Sequence, residues 1–110
     1  METWIDICQR ADIVPGTGVC ALLGETQVAV FRCRQTDALY AIDNYDPIGR
    51  AQVLSRGIIG CVAGETVVAS PLYKQHFNLT TGACLQSPEY QLKTYAVRYL
   101  DDRVQLSSMP

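Results

Sequence analysis

Ser70-Pro71-Leu72-Tyr73-Lys74-Gln75-His76-Phe77-Asn78-Leu79-Thr80-Thr81-Gly82 is the stretch on which the fold of this chain turns. Ser70 to Gln75 reads as a loop. His76-Phe77-Asn78-Leu79 reads as a short strand, ended by the turn signal Thr80-Thr81-Gly82. Immediately before the loop, Val67-Val68-Ala69 has strand character. A second loop of the same kind lies upstream. Asn44-Tyr45-Asp46-Pro47 follows the strand-like Ala38 to Ile42 and opens a connection over 43–57, marked by Asp43, Pro47, Gly49 and Gly57. Connections of this length inside a compact domain are usually functional or disordered.

Around these loops the sequence reads as strands, with turn signals about every 8–12 residues, the spacing of an all-β domain. Trp4 to Cys8 opens the chain and Val14-Pro15-Gly16 ends that segment. Gly18 to Leu23 is a strand, turned by Gly24-Glu25-Thr26. Gln27 to Arg34 alternates, with Ala29, Phe31 and Cys33 on one face and Val28, Val30, Arg32 and Arg34 on the other. It forms a hairpin with 38–42. Ile58 to Val62 and Val67 to Ala69 form another. Thr94 to Leu100 alternates, with Tyr95, Val97 and Tyr99 on one side, and Arg103 to Ser107 points Val104 and Leu106 inward. One short helical turn is expected at Ala51 to Leu54. There is no repeat, linker or low-complexity segment, so residues 1–110 are read as one domain.

Composition narrows the classes. The chain has 110 residues and a net charge of −2, which leaves no electrostatic footprint for nucleic acid. Its apolar runs, such as Val19 to Leu23, fall far short of the roughly 20 residues of a membrane span. Met1-Glu2-Thr3-Trp4 lacks the basic segment of a signal peptide, so a cytoplasmic location is expected. The five cysteines, Cys8, Cys20, Cys33, Cys61 and Cys84, form no C-x-x-C pair and are expected to be reduced, buried and small-hydrophobic in role.

The run from Ser70 to Gly82 resembles the Rieske pattern Cys-Pro-x-His-Gly-x-x-Phe followed by x-Leu-x-x-Gly. Pro71, Phe77, Leu79 and Gly82 match it, while Ser70 stands for Cys, Tyr73 for His and Lys74 for Gly. In the first loop Asn44 and Asp46 stand where Cys-x-His is expected. A Rieske centre binds its irons through two thiolates and two imidazoles, and none of these four positions supplies either. A narrower resemblance spans Trp4 to Leu106. The blocks Asn44-Tyr45-Asp46-Pro47, Val53-Leu54-Ser55-Arg56-Gly57, Val68-Ala69-Ser70-Pro71-Leu72-Tyr73-Lys74-Gln75-His76-Phe77 and Gly82-Ala83-Cys84 look like the small subunit of NADH-dependent, assimilatory-type nitrite reductase.

This resemblance implies an all-β, Rieske-like sandwich or barrel with a small loop-bearing subdomain over roughly 43–82. It implies a non-catalytic accessory chain that binds no cofactor of its own. Its partner would be a large subunit carrying FAD, a [4Fe–4S] cluster and sirohaem, which reduces nitrite to ammonium with NADH. By position, Asn44 would face Ser70 and Asp46 would face Tyr73, so that polar bridges replace the cluster as the tie between loops. Tyr45, Pro47, Arg50, Arg56, Pro71, Leu72, Tyr73 and Lys74 are the candidates for partner contact at the loop tip, with Ile48 and Leu72 expected to tuck beneath the loops. His76, the only histidine, lies three residues past Tyr73 and reads as a structural or surface residue. Asn78-Leu79-Thr80 matches a glycosylation sequon that a cytoplasmic chain would not use. Two alternatives stay open: a redox protein with an unconventional metal site of Cys, Asp46 and His76, and a free-standing Rieske-like redox or binding module serving another oxidoreductase.

Overall fold

The computed structural model describes residues 3–72 and 75–107. Tyr73 and Lys74 therefore lie outside the described residues. Strands β1 (Trp4–Gln9), β2 (Gly18–Leu23), β3 (Thr26–Arg32), β4 (Leu39–Asp43), β5 (Tyr45–Asp46), β6 (Ala51–Gln52), β7 (Ile58–Val62), β8 (Glu65–Ala69), β9 (His76–Asn78), β10 (Val97–Leu100) and β11 (Arg103–Ser107) follow in order. They build three antiparallel sheets, ordered β1-β11-β10, β2-β3-β4 and β7-β8-β9, with β5 and β6 as a separate small hairpin.

β3 is the centre of the molecule, because its alternation is apolar on both sides. Val28 and Val30 pack with Ile13, Ala41, Val104 and Leu106, in the core shared with the β1-β11-β10 sheet. Ala29 and Phe31 turn the other way and pack with Leu54, Val68, Phe77 and Leu79, in the core shared with the loop-bearing sheet. All four of these β3 side chains are fully buried. Burying a Phe or Val side chain contributes about 1.5–3 kcal/mol, so a single strand anchors two cores. Arg32 at its end donates to Asp37 and to the carbonyls of Arg10 and Ile13. It ties the 3₁₀ turn Arg10–Asp12 to the turn after β3.

Several sequence expectations need correction. Residues 43–57 are not wholly irregular: they hold the β5–β6 hairpin, with Tyr45 opposite Gln52 and Asp46 opposite Ala51. The helical turn forms at Leu54–Arg56 rather than Ala51–Leu54. There Leu54 is drawn into the core and donates its N–H to the Asn44 carbonyl at 3.0 Å, a tertiary demand that overrides local preference. The last hairpin begins at Val97, since Thr94 makes only an isolated bridge to Ile42. Of the cysteines only Cys33 and Cys84 are buried; Cys20 and Cys61 are exposed and Cys8 is intermediate, all as free thiols.

The turn after β9 is held by Asn78. Its Oδ1 accepts from the N–H of Thr80 and of Thr81, and its Nδ2 donates to Glu65 Oε2. The sequon asparagine is thus a buried structural residue. Gly82 closes this turn at φ +83, and a Cβ there would lie 2.1 Å from the Leu92 carbonyl oxygen. A left-handed conformation alone costs an L-residue about 1–2 kcal/mol, and the overlap with rigid backbone adds to it. Gly82→Ala is therefore expected to lower the unfolding free energy by more than about 2 kcal/mol, measured by urea denaturation.

Candidate functional site

Both loops leave strands that the core holds rigidly. β4 ends at Asp43, whose Oδ1 accepts the Tyr95 hydroxyl at 2.6 Å and whose Oδ2 accepts the Lys93 N–H. Burial, reinforced by this hydrogen bond and the nearby carboxylate charge, pushes the Tyr95 phenol well above its ordinary range. The donor is therefore protonated at any physiological pH, and the tether persists. The chain then enters Asn44, which is 1 % exposed.

Asn44 is bonded on every side. Its Oδ1 accepts the Ser55 N–H at 2.7 Å, and its Nδ2 donates to Gln27 Oε1 at 3.1 Å and, more weakly, to Cys20 Sγ at 3.6 Å. Its backbone N–H donates to the Gln27 carbonyl. It fastens the start of the first loop to β2, β3 and the turn at Leu54–Arg56. The expected pairing of Asn44 with Ser70 does not occur, because its amide is taken up by this other set of partners.

Asp46 makes the tie between the loops. It is fully buried. Its Oδ1 accepts from the N–H groups of Ile48 and Gly49, at 2.9 and 3.0 Å, which shapes the tip of the first loop as an Asx turn. Its Oδ2 accepts the Ser70 hydroxyl at 2.5 Å, across 24 residues of sequence. Ser70, 1 % exposed, also accepts the Leu72 N–H through Oγ, and its own N–H donates to the Gln75 carbonyl, closing the second loop. The bridge thus joins the second position of one loop to the first position of the other. The expected partner of Asp46, Tyr73, lies outside the described residues.

Over this bridge the loops touch directly. A Cβ on Gly49 would fall 2.5 Å from Leu72 Cδ1 and 3.0 Å from Asp46 Oδ2, so the two loops approach closely at this glycine and a larger residue would have to displace the Leu72 side chain. Leu72 itself is 45 % exposed, against the expectation that it tucks beneath, whereas Ile48 does pack on the core. Tyr45 is 41 % exposed; Arg50, Arg56 and Pro71 are also exposed, and Pro47 is half-buried. His76 is held structurally: the Gln86 side chain accepts its backbone N–H through Oε1, and Gln86 Nε2 lies 2.9 Å from its ring Nδ1. Gln27, Ser55, Cys20 and Gly49 are the site residues that motif reading misses. Gln27 was within reach of the strand pattern, since extending the β3–β4 register by one pair places it opposite Asn44.

Comparison with known proteins follows this geometry closely. The family model described as a Rieske-like [2Fe–2S] domain matches residues 3–107. The chain is 50 % identical over 106 residues to the nitrite reductase (NADH) small subunit of Escherichia coli K12, covering 96 % of this chain and 98 % of the relative. It superposes on the solution structure of the E. coli protein NirD with a TM-score of 0.91 at 48 % identity, covering all of both chains. It also matches, at 40 % identity over 101 residues and 92 % of its length, a segment that makes up 10 % of the nitrite reductase [NAD(P)H] large subunit of Klebsiella oxytoca.

The family's [2Fe–2S] group does not fit these residues. An amide, a carboxylate and a hydroxyl occupy the described loop positions, where the cluster requires thiolates and imidazoles. Asp46 Oδ2 and Ser70 Oγ already bond directly to each other, and Asn44 is committed elsewhere. Among the described residues no group of three His, Cys, Asp or Glu side chains is placed to hold a metal.

A hydrogen bond to a charged group contributes about 1.5–3 kcal/mol. In a double-mutant cycle of Asp46→Ala and Ser70→Ala, followed by urea unfolding, a coupling of about 1–3 kcal/mol is expected. Additive losses would mean that the two loops are held independently.

Proposed function

The chain belongs to the Rieske-like family and, within it, to the small subunits of NADH nitrite reductase, and from that membership we infer that it is the accessory subunit of an NAD(P)H-dependent nitrite reductase. The observation that carries the reading is the near full-length match to those small subunits, with the cluster position occupied by the Asp46–Ser70 bond. Reduction of nitrite to ammonium takes six electrons, which redox cofactors must carry. The donor set in this chain does not hold them. They belong to a large subunit, for which FAD, a [4Fe–4S] cluster and sirohaem are the proposed set and NADH the proposed reductant. The complex is proposed to work in the cytoplasm.

In the Klebsiella oxytoca relative a segment like this chain is part of the large-subunit polypeptide. A covalent arrangement of that kind supports one copy of this domain beside each large subunit. The exposed loop tip, with Tyr45, Pro71 and Leu72 and with Arg50 and Arg56 at its rim, is the surface proposed to meet it. Aromatic and Arg side chains are enriched in such contacts. Pro47 and, outside the described residues, Tyr73 and Lys74 belong to the same proposed surface.

NADH-dependent nitrite reduction by the large subunit is expected to fall several-fold when this chain is omitted and to recover when it is added back. Running the same assay with an artificial donor that reduces the sirohaem directly separates two roles. Loss confined to the NADH-driven reaction places the effect on electron entry, and loss in both places it on the stability or turnover of the large subunit. Unchanged rates in both assays, with no complex formed, would overturn the accessory reading.

A further inference from the structure

The edge of β7 is left open. β7 pairs only with β8. The Thr66 carbonyl accepts Leu79 N–H on the β9 side, so the alternation of an antiparallel ladder turns Glu65, Val67 and Ala69 toward β7. Their partners Val62, Gly60 and Ile58 are thereby bonded, and the N–H and C=O groups of Ile59 and Cys61 point outward. Among the described residues no loop backbone bonds to them. Native edges are usually blunted by charge, proline or a bulge. β1 carries Asp6 and a bulge, β10 carries Arg98, and β4 is covered by residues 93–95. β2, like β7, is uncharged and unbulged, and borders a groove with Asp6, Ile7 and Cys8 of β1. Ile58-Ile59-Gly60-Cys61-Val62 has none of these devices, and Ile58 is 77 % and Val62 40 % exposed.

A groove of about 360 Å³ borders this strand, lined by Ile58 to Cys61, by Thr66 of β8, and by Gly16 and Cys33 to Gln35. Arg34 lies in the groove wall and Arg56 lies two residues before β7, and neither forms an ion pair among the described residues. The one carboxylate of the hairpin, Glu65, is engaged by Asn78. The edge also continues the loop tip, since Ile58 is paired with Ala69, one residue before Ser70.

We propose that the free edge of β7 takes up an extended segment of the large subunit as an added strand, apolar at alternate positions and carrying a carboxylate toward Arg34 and Arg56. The proposal rests on the accessory-subunit reading and names the surface that would do the binding. Strand addition draws its affinity from the main chain and its specificity from the flanking pockets and charges. Four backbone groups, the N–H and C=O of Ile59 and of Cys61, supply the ladder here.

Amide hydrogen exchange of the isotopically labelled chain, free and in the complex isolated by gel filtration, tests this. The Ile59 and Cys61 amides are expected to exchange rapidly in the free chain and at least about tenfold more slowly in the complex. Ile58→Lys places a charge on an exposed side chain, so the fold should persist with an unchanged amide spectrum while affinity drops about tenfold or more. Charge reversal at Arg34 and Arg56 should weaken binding and flatten its salt dependence. A complex that forms with Ile59 and Cys61 still exchanging freely overturns the proposal while leaving the accessory reading intact. Failure of any complex to form overturns both. Concentration-dependent protection of the two amides in the chain alone would show that a second copy covers the edge, and would overturn the proposal too.

Discussion

β3 has no solvent face, and the placement of the site follows from that. Its Val28/Val30 side belongs to one core and its Ala29/Phe31 side to the other. The terminal sheet and the loop-bearing sheet are therefore fixed relative to each other through one strand. The start of the first loop is then set by register, because Asn44 follows Asp43, which pairs with Val28. The second loop springs from β8, whose Val68 packs in the Phe31 core. Two loops far apart in sequence meet at Asp46 and Ser70 because the strands beneath them cannot shift independently.

Within that frame, the site is a polar knot where related domains hold metal. Coordination by iron would join the loops through four ligands. Here one carboxylate bridges them, accepting two backbone N–H groups on one oxygen and the Ser70 hydroxyl on the other. Buried polar groups of this kind are stable only when their bonds are made. Asn44, Asp46 and Ser70 each meet that condition with different partners. What the knot preserves is the shape of the loop tip. It keeps Tyr45, Pro71 and Leu72 outside and Ile48 against the core.

That preserved shape explains how a domain can keep a redox fold while its own residues hold no cluster. The tip leaves Tyr45 and Leu72 exposed, and the β7 edge, which begins opposite Ala69 just before Ser70, leaves Ile58 exposed.

The sequence by itself determined the all-β class, most strand positions, the two loops and the family, because alternation and turn residues act locally and the motif residues sit in fixed order. It also determined that Asn44, Asp46 and Ser70 cannot supply the thiolates and imidazoles of a Rieske centre, since that is a matter of donor chemistry alone. Which of these side chains bond to each other was decided only by the tertiary structure. Counting positions pairs Asn44 with Ser70, but Asn44 turns back to Gln27 and Ser55 while Asp46 reaches Ser70. The same holds for the turn at Leu54–Arg56, the exposure of Leu72 and the open edge of β7. Side-chain partners and free edges depend on which strands come together across the core, and that neighbourhood is set by packing over the whole chain rather than by any local stretch of it.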